Sequence, residues 1–341
     1  MKVLLTGGSG YIGSHTLLEL LKQSNDVTII DNLVNSSFEV IKRVQLITGR
    51  RVAFLPVDLL DTRELNDVFD KHDFDMVVHF AGLKSVSKSQ EDPLSYYENN
   101  VSGTINLCNA MVKHGVYNLI FSSSATVYGD PSVLPIKEES SISDAASPYG
   151  RTKIMVEKIL MDLSKTNSKW NVIILRYFNP GGAHESGHIG EDPNGIPNNL
   201  FPYITQCAAG KRKELTVFGN DYSTRDGTCI RDYIHVVDLA LGHVAAITKI
   251  KHQPGLAIYN LGTGKGSSVL EVIQTFEEVN KVKVPYVIGP RRIGDVAECY
   301  TDPKKANREL IWEARATLKQ ICRDAWNWQQ RNPFGYIRGE N

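Results

Sequence analysis

Tyr149 and Lys153 stand one helical turn apart, and their side chains could do acid–base chemistry. A phenol beside an ammonium is a candidate general base. The nearby positive charge favours phenolate and draws the tyrosine down from its ordinary pKa of about 10. The surrounding run, Ser147-Pro148-Tyr149-Gly150-Arg151-Thr152-Lys153, reads as a helix start. Ser147 can cap it, and Pro148 suits the first helical position, where its missing N–H is not needed. Alone the pair is weak, because Tyr and Lys at this spacing on a surface helix are usually just solvated. Upstream, the hydroxyl run Ser123-Ser124-Ala125-Thr126 follows a predicted strand over 119–122. It is either a turn or a hydrogen-bonding group for a substrate.

A second chemistry sits at the N-terminus. Residues 2–6 read as a buried strand, and Gly7-Gly8-Ser9-Gly10-Tyr11-Ile12-Gly13 follows at once. A helix then covers 14–22, and a second apolar strand over 27–30 ends at Asp31. Gly8, Gly10 and Gly13 match the dinucleotide fingerprint, with Gly7 adding another glycine at the turn. Such glycines let the backbone approach a pyrophosphate at a helix N-terminus. A glycine triplet by itself is weak, but here the strand, the helix and the acid about 20 residues on all agree. A carboxylate accepts from a ribose 2′-OH and repels a 2′-phosphate, so Asp31 favours NAD over NADP. Asp31 as a simple loop cap stays open.

The elements that must position these groups alternate. Strands are predicted over 52–57, 76–80, 119–122 and 172–175, with helices opening at 61–62, over 97–114 and from 147. This is an α/β chain with a Rossmann-type, doubly wound parallel sheet of six or seven strands. Beyond 178 the pattern changes. Residues 184–199 read as a long loop, a functional signal in a compact domain. Helices over 200–209, 239–247, 269–279 and 318–330, with strands over 215–218, 258–261 and 286–288, give a smaller mixed α/β lobe. The expected division is 1–178 for the dinucleotide-binding domain, with the segment around 231–262 returning to it, and 179–230 plus 263–341 for a substrate-binding lobe. The tail after Pro333 is expected to fray. Arg231 and Arg292 each lie beside a loop. One arginine is usually a surface charge, but two in such a lobe suit a diphosphate. His184, His188 and His235 have no metal-ligand spacing and read as loop or capping residues.

Composition narrows the classes. Across 341 residues, 38 Lys+Arg balance 38 Asp+Glu, which leaves no basic field for nucleic acid and no polybasic block for a membrane surface. No apolar run approaches the roughly 20 residues that span a bilayer. Five scattered cysteines without a C-x-x-C argue against a disulfide framework or a zinc site and for a reducing, cytoplasmic setting.

Seven segments stand in an informative order: Thr6 to Gly13, Asp31-Asn32-Leu33, His79 to Lys84, Ser122 to Gly129, Tyr149-x-x-x-Lys153, Arg176-Tyr177-Phe178-Asn179 and Arg231 to Val236. With them the chain closely resembles the UDP-glucose 4-epimerases, a family of extended short-chain dehydrogenase/reductases, from Met1 to about residue 332. The resemblance implies an isomerase of galactose and nucleotide-sugar metabolism that uses tightly bound NAD. Tyr149 would take the proton of the sugar 4-OH as C4 is oxidised, Lys153 would hold the nicotinamide ribose, and Ser124 would bond the 4-oxygen. The 4-keto sugar would turn over and be reduced on its other face. NAD contacts would come from Gly7, Gly10, Tyr11, Ile12, Gly13, Asp31, Asn32, Leu33, Val34, Asn35, Ser36, Asp58, Leu59, Phe80, Ala81, Gly82, Leu83, Lys84, Asn99 and Phe178, besides Tyr149 and Lys153. UDP-sugar contacts would come from Ser124, Asn179, Asn199, Thr216, Val217, Phe218, Arg231, Arg292, Asp295 and Cys299. No metal is implied. A homodimer pairing helices near 97–114 and 149–164 is expected.

Hexose-restricted bacterial members carry Tyr where this chain has Cys299. The smaller side chain would enlarge the sugar cavity, so activity on UDP-GlcNAc and UDP-GalNAc is also expected, unless neighbours fill the space. Two rivals remain. A sugar-nucleotide 4,6-dehydratase shares NAD, Tyr and Lys but needs a carboxylate pair beside the Ser/Thr, where this chain has Ala125 and Thr126. A non-catalytic dinucleotide-binding protein has no need of Ser124, Tyr149 and Lys153 together.

Overall fold

The computed structural model describes residues 1–142, 145–292 and 294–336. The chain divides into two packing units. The first is Met1–Gly129 with Ser141–Arg176 and Ala240–Tyr259, and the second is Asp130–Ser140 with Tyr177–Leu239 and Asn260–Asn341.

Strands and helices alternate from the start: β1 (Lys2–Thr6), α1 (Tyr11–Lys22), β2 (Asp26–Ile30), α2 (Phe38–Thr48), β3 (Ala53–Leu55), α3 (Thr62–Lys71) and β4 (Met76–His79). Then come α4 (Val86–Glu91), α5 (Pro93–Tyr97), a π turn (Glu98–Ser102), α6 (Gly103–Lys113), β5 (Asn118–Ser124), α7 (Pro148–Thr166) and β6 (Asn171–Tyr177). Next are β7 (Asn179–Gly181), α8 (Leu200–Ala208), β8 (Leu215–Phe218), β9 (Ile230–His235), α9 (Val236–Ile250) and β10 (Leu256–Leu261). The chain ends with β11 (Gly266–Ser268), α10 (Val269–Asn280), β12 (Tyr286–Gly289), β13 (Glu298–Cys299), α11 (Lys304–Leu310) and α12 (Leu318–Arg331).

The main sheet has seven strands in the order β10-β6-β5-β4-β1-β2-β3. Its middle is parallel, with Val3 opposite both Val27 and Met76. Val3, Leu4, Leu5, Met76, Val77 and Val78 are wholly buried, as strands covered on both faces require. The order reverses between β1 and β4. Ligands of such sheets bind at the C-terminal strand ends beside that reversal, here next to Thr6 and His79. Behind it, Leu65, Leu107, Met111, Leu119, Leu160 and Ile174 form one apolar core. In the second unit β9 pairs with β7, β11 and β13, and β8 pairs with β12. Its own core gathers Phe201, Ile204, Val272, Phe276 and Ile321.

Three expectations change. The helix expected over 97–114 is broken into α5, the π turn and α6. The strand expected to stop at 122 continues to Ser124, so the hydroxyl run is partly strand. Tyr336, in the tail expected to fray, is buried. Its phenol donates to the Gly190 carbonyl at 3.2 Å and its N–H donates to Asp192 at 2.9 Å. Residues 337–341 of that tail lie outside the described ones.

Candidate active site

Ser147 caps α7 by accepting the Gly150 N–H at 3.2 Å, with Pro148 in the first turn. Such a cap contributes about 1 kcal/mol and fixes where the helix begins. That start puts Tyr149 and Lys153 on one face, both buried, against the end of β5. Tyr149 is hydrogen-bonded to Ser124. The Lys153 ammonium donates to the Ser122 carbonyl at 2.9 Å and stands 4.7 Å from the Phe121 ring centre and 5.9 Å from that of Tyr149.

The pKa of Tyr149 runs against the expectation from charge alone. Burial pushes the phenol up to about 12, and the Ser124 hydrogen bond offsets only part of that. Burial also brings Lys153 down to about 8, with the Glu157 carboxylate holding it from falling further. In a dry site desolvation outweighs the ammonium's pull on the phenol. Lys153, at about 8, therefore loses its proton before Tyr149, at about 12.

At the end of β1, Gly7 has a positive φ of 68°, and a Cβ there would meet the Ala81 nitrogen at 2.6 Å. A Cβ on Gly13 would meet the Gly7 carbonyl at 2.5 Å. The turn therefore packs only as glycine. Gly10 precedes α1 without a side-chain cap, and a helix start of this kind suits an anion. The donor set after β2 fits a ribose. Asp31 Oδ1 accepts from Leu33 N–H at 2.9 Å and Ser36 Oγ at 2.8 Å, and Oδ2 accepts from Ser9 N–H at 3.0 Å. Asp31 thus does cap its loop, and Oδ2 keeps acceptor capacity for a hydroxyl. Asn32 donates to Asp58 at 2.8 Å, and Leu33 takes a positive φ of 60° within this turn. Val34 is exposed, Asn35 lies in the same turn, and Leu59 is buried. These residues fit a dinucleotide.

After β4, Phe80 rests on the His243 ring at 4.8 Å, and the Ala81 N–H donates to the Thr6 carbonyl at 3.1 Å. Lys84 lies 5.8 Å from the Tyr11 ring centre. Asn99 is only half-buried on the π turn. The residue that sequence reasoning missed is its neighbour Asn100. The side chain of Asn100 accepts the Leu83 N–H at 2.7 Å and donates to the Leu83 carbonyl at 3.0 Å and to Thr152 Oγ1 at 3.0 Å. It clamps the loop of Gly82 and Leu83 to α7, and the π turn aims it there. Only the pair Asn99-Asn100 signals this, and periodicity cannot show the extra residue.

In the second unit, Asp295 takes Arg292 in two bonds, 3.1 and 2.8 Å, and Arg231 at 3.6 Å. Two guanidiniums on one carboxylate leave a net positive charge. Arg292 also lies 5.5 Å from the Phe218 ring centre, and Phe218 is 40% exposed. Cys299 pairs with Arg231 across β13 and β9, and burial pushes its thiol up to about 11. Thr216 and Val217 sit on β8 beside Val287 and Ile288. Asn179, the exposed first residue of β7, pairs with Tyr233. Asn199 precedes α8 and donates to Glu191 at 2.6 Å. Phe178 packs in this unit, its N–H donating to the Leu261 carbonyl at 3.1 Å. Among the described residues, no group of His, Cys, Asp or Glu is placed to hold a metal.

The family model described as GDP-mannose 4,6 dehydratase matches residues 4–325. The UDP-glucose 4-epimerase of Bacillus subtilis (strain 168) is 54% identical, over all of both chains. That of Pasteurella multocida (strain Pm70) is 54% identical over 98% of this chain and 99% of its own. The crystal structure of UDP-glucose 4-epimerase from Bifidobacterium longum, in complex with NAD+ and UDP, superposes with a TM-score of 0.96. It is 50% identical and is covered over 98% of this chain and 100% of its own.

Proposed function

The chain belongs to the UDP-glucose 4-epimerase family, within the wider group that the GDP-mannose 4,6 dehydratase model describes, and on that premise we propose how it works. It interconverts UDP-glucose and UDP-galactose through a transient 4-keto sugar, with NAD retained in the Gly7–Gly13 cradle. The observation that carries this reading is the buried trio of Ser124, Tyr149 and Lys153. Tyr149 takes the proton of the 4-OH and later returns it, and Ser124 aligns the 4-oxygen with the phenol. Lys153 keeps the tyrosine's charge tolerable in a dry site. Bound NAD supplies the redox chemistry at C4. Asp31 Oδ2 accepts from the adenosine ribose, and the loop from Phe80 to Lys84, clamped by Asn100, borders the nicotinamide half. Arg231 and Arg292 take the diphosphate, with Phe218, Asn179, Asn199, Thr216, Val217 and Asp295 gripping the rest of UDP. Elimination of water, the dehydratase course, needs an acid/base carboxylate where Ala125 and Thr126 stand.

Cys299 is a small side chain on the strand that carries the sugar end of this cluster, and it supports turnover of the N-acetylated pair as well. A homodimer through α6 and α7 is supported by the exposed Ile105, Val112 and Met155 on those helices. Five free thiols support a reducing, cytoplasmic setting. Among the described residues no helix is long and apolar enough to cross a membrane.

Proton NMR of products from UDP-galactose and from UDP-GalNAc, with no NAD added, tests the reading. Both 4-epimers should form, and Cys299→Tyr should abolish only the N-acetylated product. Absence of UDP-glucose, or a 4-keto-6-deoxy product, would sink the epimerase reading. N-acetyl turnover that survives Cys299→Tyr would sink the role given to Cys299.

A further inference from the structure

Three successive serines end β5, and each is tied differently. The Ser122 carbonyl accepts from Lys153, and its hydroxyl bonds His243 Nε2 at 3.0 Å. Ser123 Oγ donates to Glu157 Oε1 at 2.5 Å, and Ser124 bonds Tyr149. Tyr149, Lys153 and Glu157 occupy successive turns of one α7 face. Glu157 is fully buried. It accepts from Arg176 Nε at 3.0 and 3.2 Å and from Nη2 at 2.6 Å, while Arg176 Nη1 donates to the Tyr128 hydroxyl at 3.0 Å.

An apolar pair of this volume would hold β6 to α7 at least as well, because burying two ions is costly even when they are matched. The charge has a second use, and its address points to it. The described groups around Lys153 are Tyr149 and Glu157 on α7, the Ser122 carbonyl and the Phe121 ring on β5, and His79 on β4. Burial brings His79 down to about 3 and so keeps it neutral, and Arg176 on β6 is already paired by Glu157. Of these groups Glu157 is the anion that favours the ammonium.

We propose that Glu157 is a positioning residue of the proton transfer: its carboxylate is the counter-charge of the Lys153 ammonium and, through Ser123, the anchor of the strand end that carries Ser124. The inference rests on the roles proposed above for Lys153 and Ser124. Without the carboxylate, the singly deprotonated Tyr149–Lys153 pair shifts toward neutral lysine and protonated phenol, so the phenolate beside an ammonium, the reactive form on the roles proposed above, becomes rarer once the first proton has gone. The pair also loses its first proton at lower pH. A merely structural brace would do neither.

The test follows Lys153 directly, by NMR of the ¹³Cε-lysine-labelled holoenzyme assigned with Lys153→Met, alongside pH profiles of kcat and KM. In Glu157→Gln the Lys153 titration should move down by about one unit or more. The acid limb of kcat should move with it, the plateau should fall about tenfold, and KM should hold. If the unmatched Arg176 unfolds that variant, Glu157→Gln with Arg176→Gln is read in its place, with the same direction expected. Glu157→Asp should return the titration toward that of the parent. Ser123→Ala should lower kcat several-fold and leave the Lys153 titration unmoved. A folded Gln variant whose Lys153 titrates as in the parent overturns the counter-charge, and parent-like kcat in Ser123→Ala overturns the anchor. Since the titration needs no turnover, failure of the epimerase reading would show separately.

Discussion

Arg176 and Arg231 are both strand arginines facing a carboxylate, and their surroundings set them to different work. Arg176 is 1% exposed, doubly bonded to a carboxylate of its own and bonded again to Tyr128. Its Nε, Nη1 and Nη2 are engaged inside the protein, on Glu157 and on Tyr128. Arg231 keeps 15% of its side chain exposed and stands 3.6 Å from Asp295, a carboxylate that Arg292 already holds at 2.8 Å. In that cluster two guanidiniums face one carboxylate, and Arg231 Nη1 donates only to a neutral acceptor, the Ile230 carbonyl, at 2.9 Å. A saturated arginine fixes geometry, whereas an under-committed one waits for an anion.

The largest effect that separates the two is on stability. Arg176→Gln leaves a buried carboxylate without its partner and should cost about 3–5 kcal/mol, read as a lowered urea midpoint. Arg231→Gln should leave that midpoint within about 1 kcal/mol and raise KM for UDP-galactose roughly tenfold to a hundredfold with kcat held, as the loss of a charge-assisted bond implies. If Arg231→Gln unfolds the protein, or Arg176→Gln shifts only KM, the contrast between the two arginines is wrong.

The next effect is on pH. On the roles proposed above, the Tyr149–Lys153 pair becomes reactive once one proton has gone, and burial brings Lys153 down to about 8. The rate kcat/KM should therefore climb about tenfold per unit as pH rises toward 8 and flatten above it, because Tyr149 releases its own proton only toward about 12. A profile that falls through pH 8 would remove Lys153 from this role. Varying UDP-galactose in the Arg231→Gln protein should give the same limb, since the substitution leaves Tyr149 and Lys153 in place.

The contrast also marks what could be read from residue order. The glycine turn, Asp31 and the Tyr149–Lys153 helix were legible because each is local: a few residues at fixed spacing make the structure and the chemistry together. The doubly wound sheet was legible for the same reason, through its buried apolar runs. Asn100 was not, because a π turn inserts one residue into a helix and leaves the apolar pattern on either side intact. Glu157 and Arg176 were not, because their meaning is a contact between a helix and a strand 19 residues on, and a buried ion pair looks like two surface charges in a sequence. The direction of the Tyr149 shift was misjudged because spacing reveals the neighbouring charge but not the loss of water, and the loss of water is larger here. Strands as short as β11 and β13 carry too few residues for any period to show.

The smallest effect tests whether exposure or partner count governs the arginine cluster. Removing either Arg231 or Arg292 takes the cluster from one net positive charge to zero, so a count of charges predicts equal losses. Exposure predicts otherwise. Arg292 is 54% exposed and its bonds to Asp295 are open to water and salt, so Arg292→Gln should raise KM only about two- to fivefold. Its loss should also be salt-sensitive and largely disappear in about 1 M salt, where the screening length is about 3 Å. The Arg231 loss should persist there, because a guanidinium at 15% exposure is shielded by protein rather than by ions. Equal losses that fade together with salt would mean that both arginines act as a diffuse positive field. Unequal losses with only one fading would make Arg231 the fixed donor and Arg292 the adjustable one.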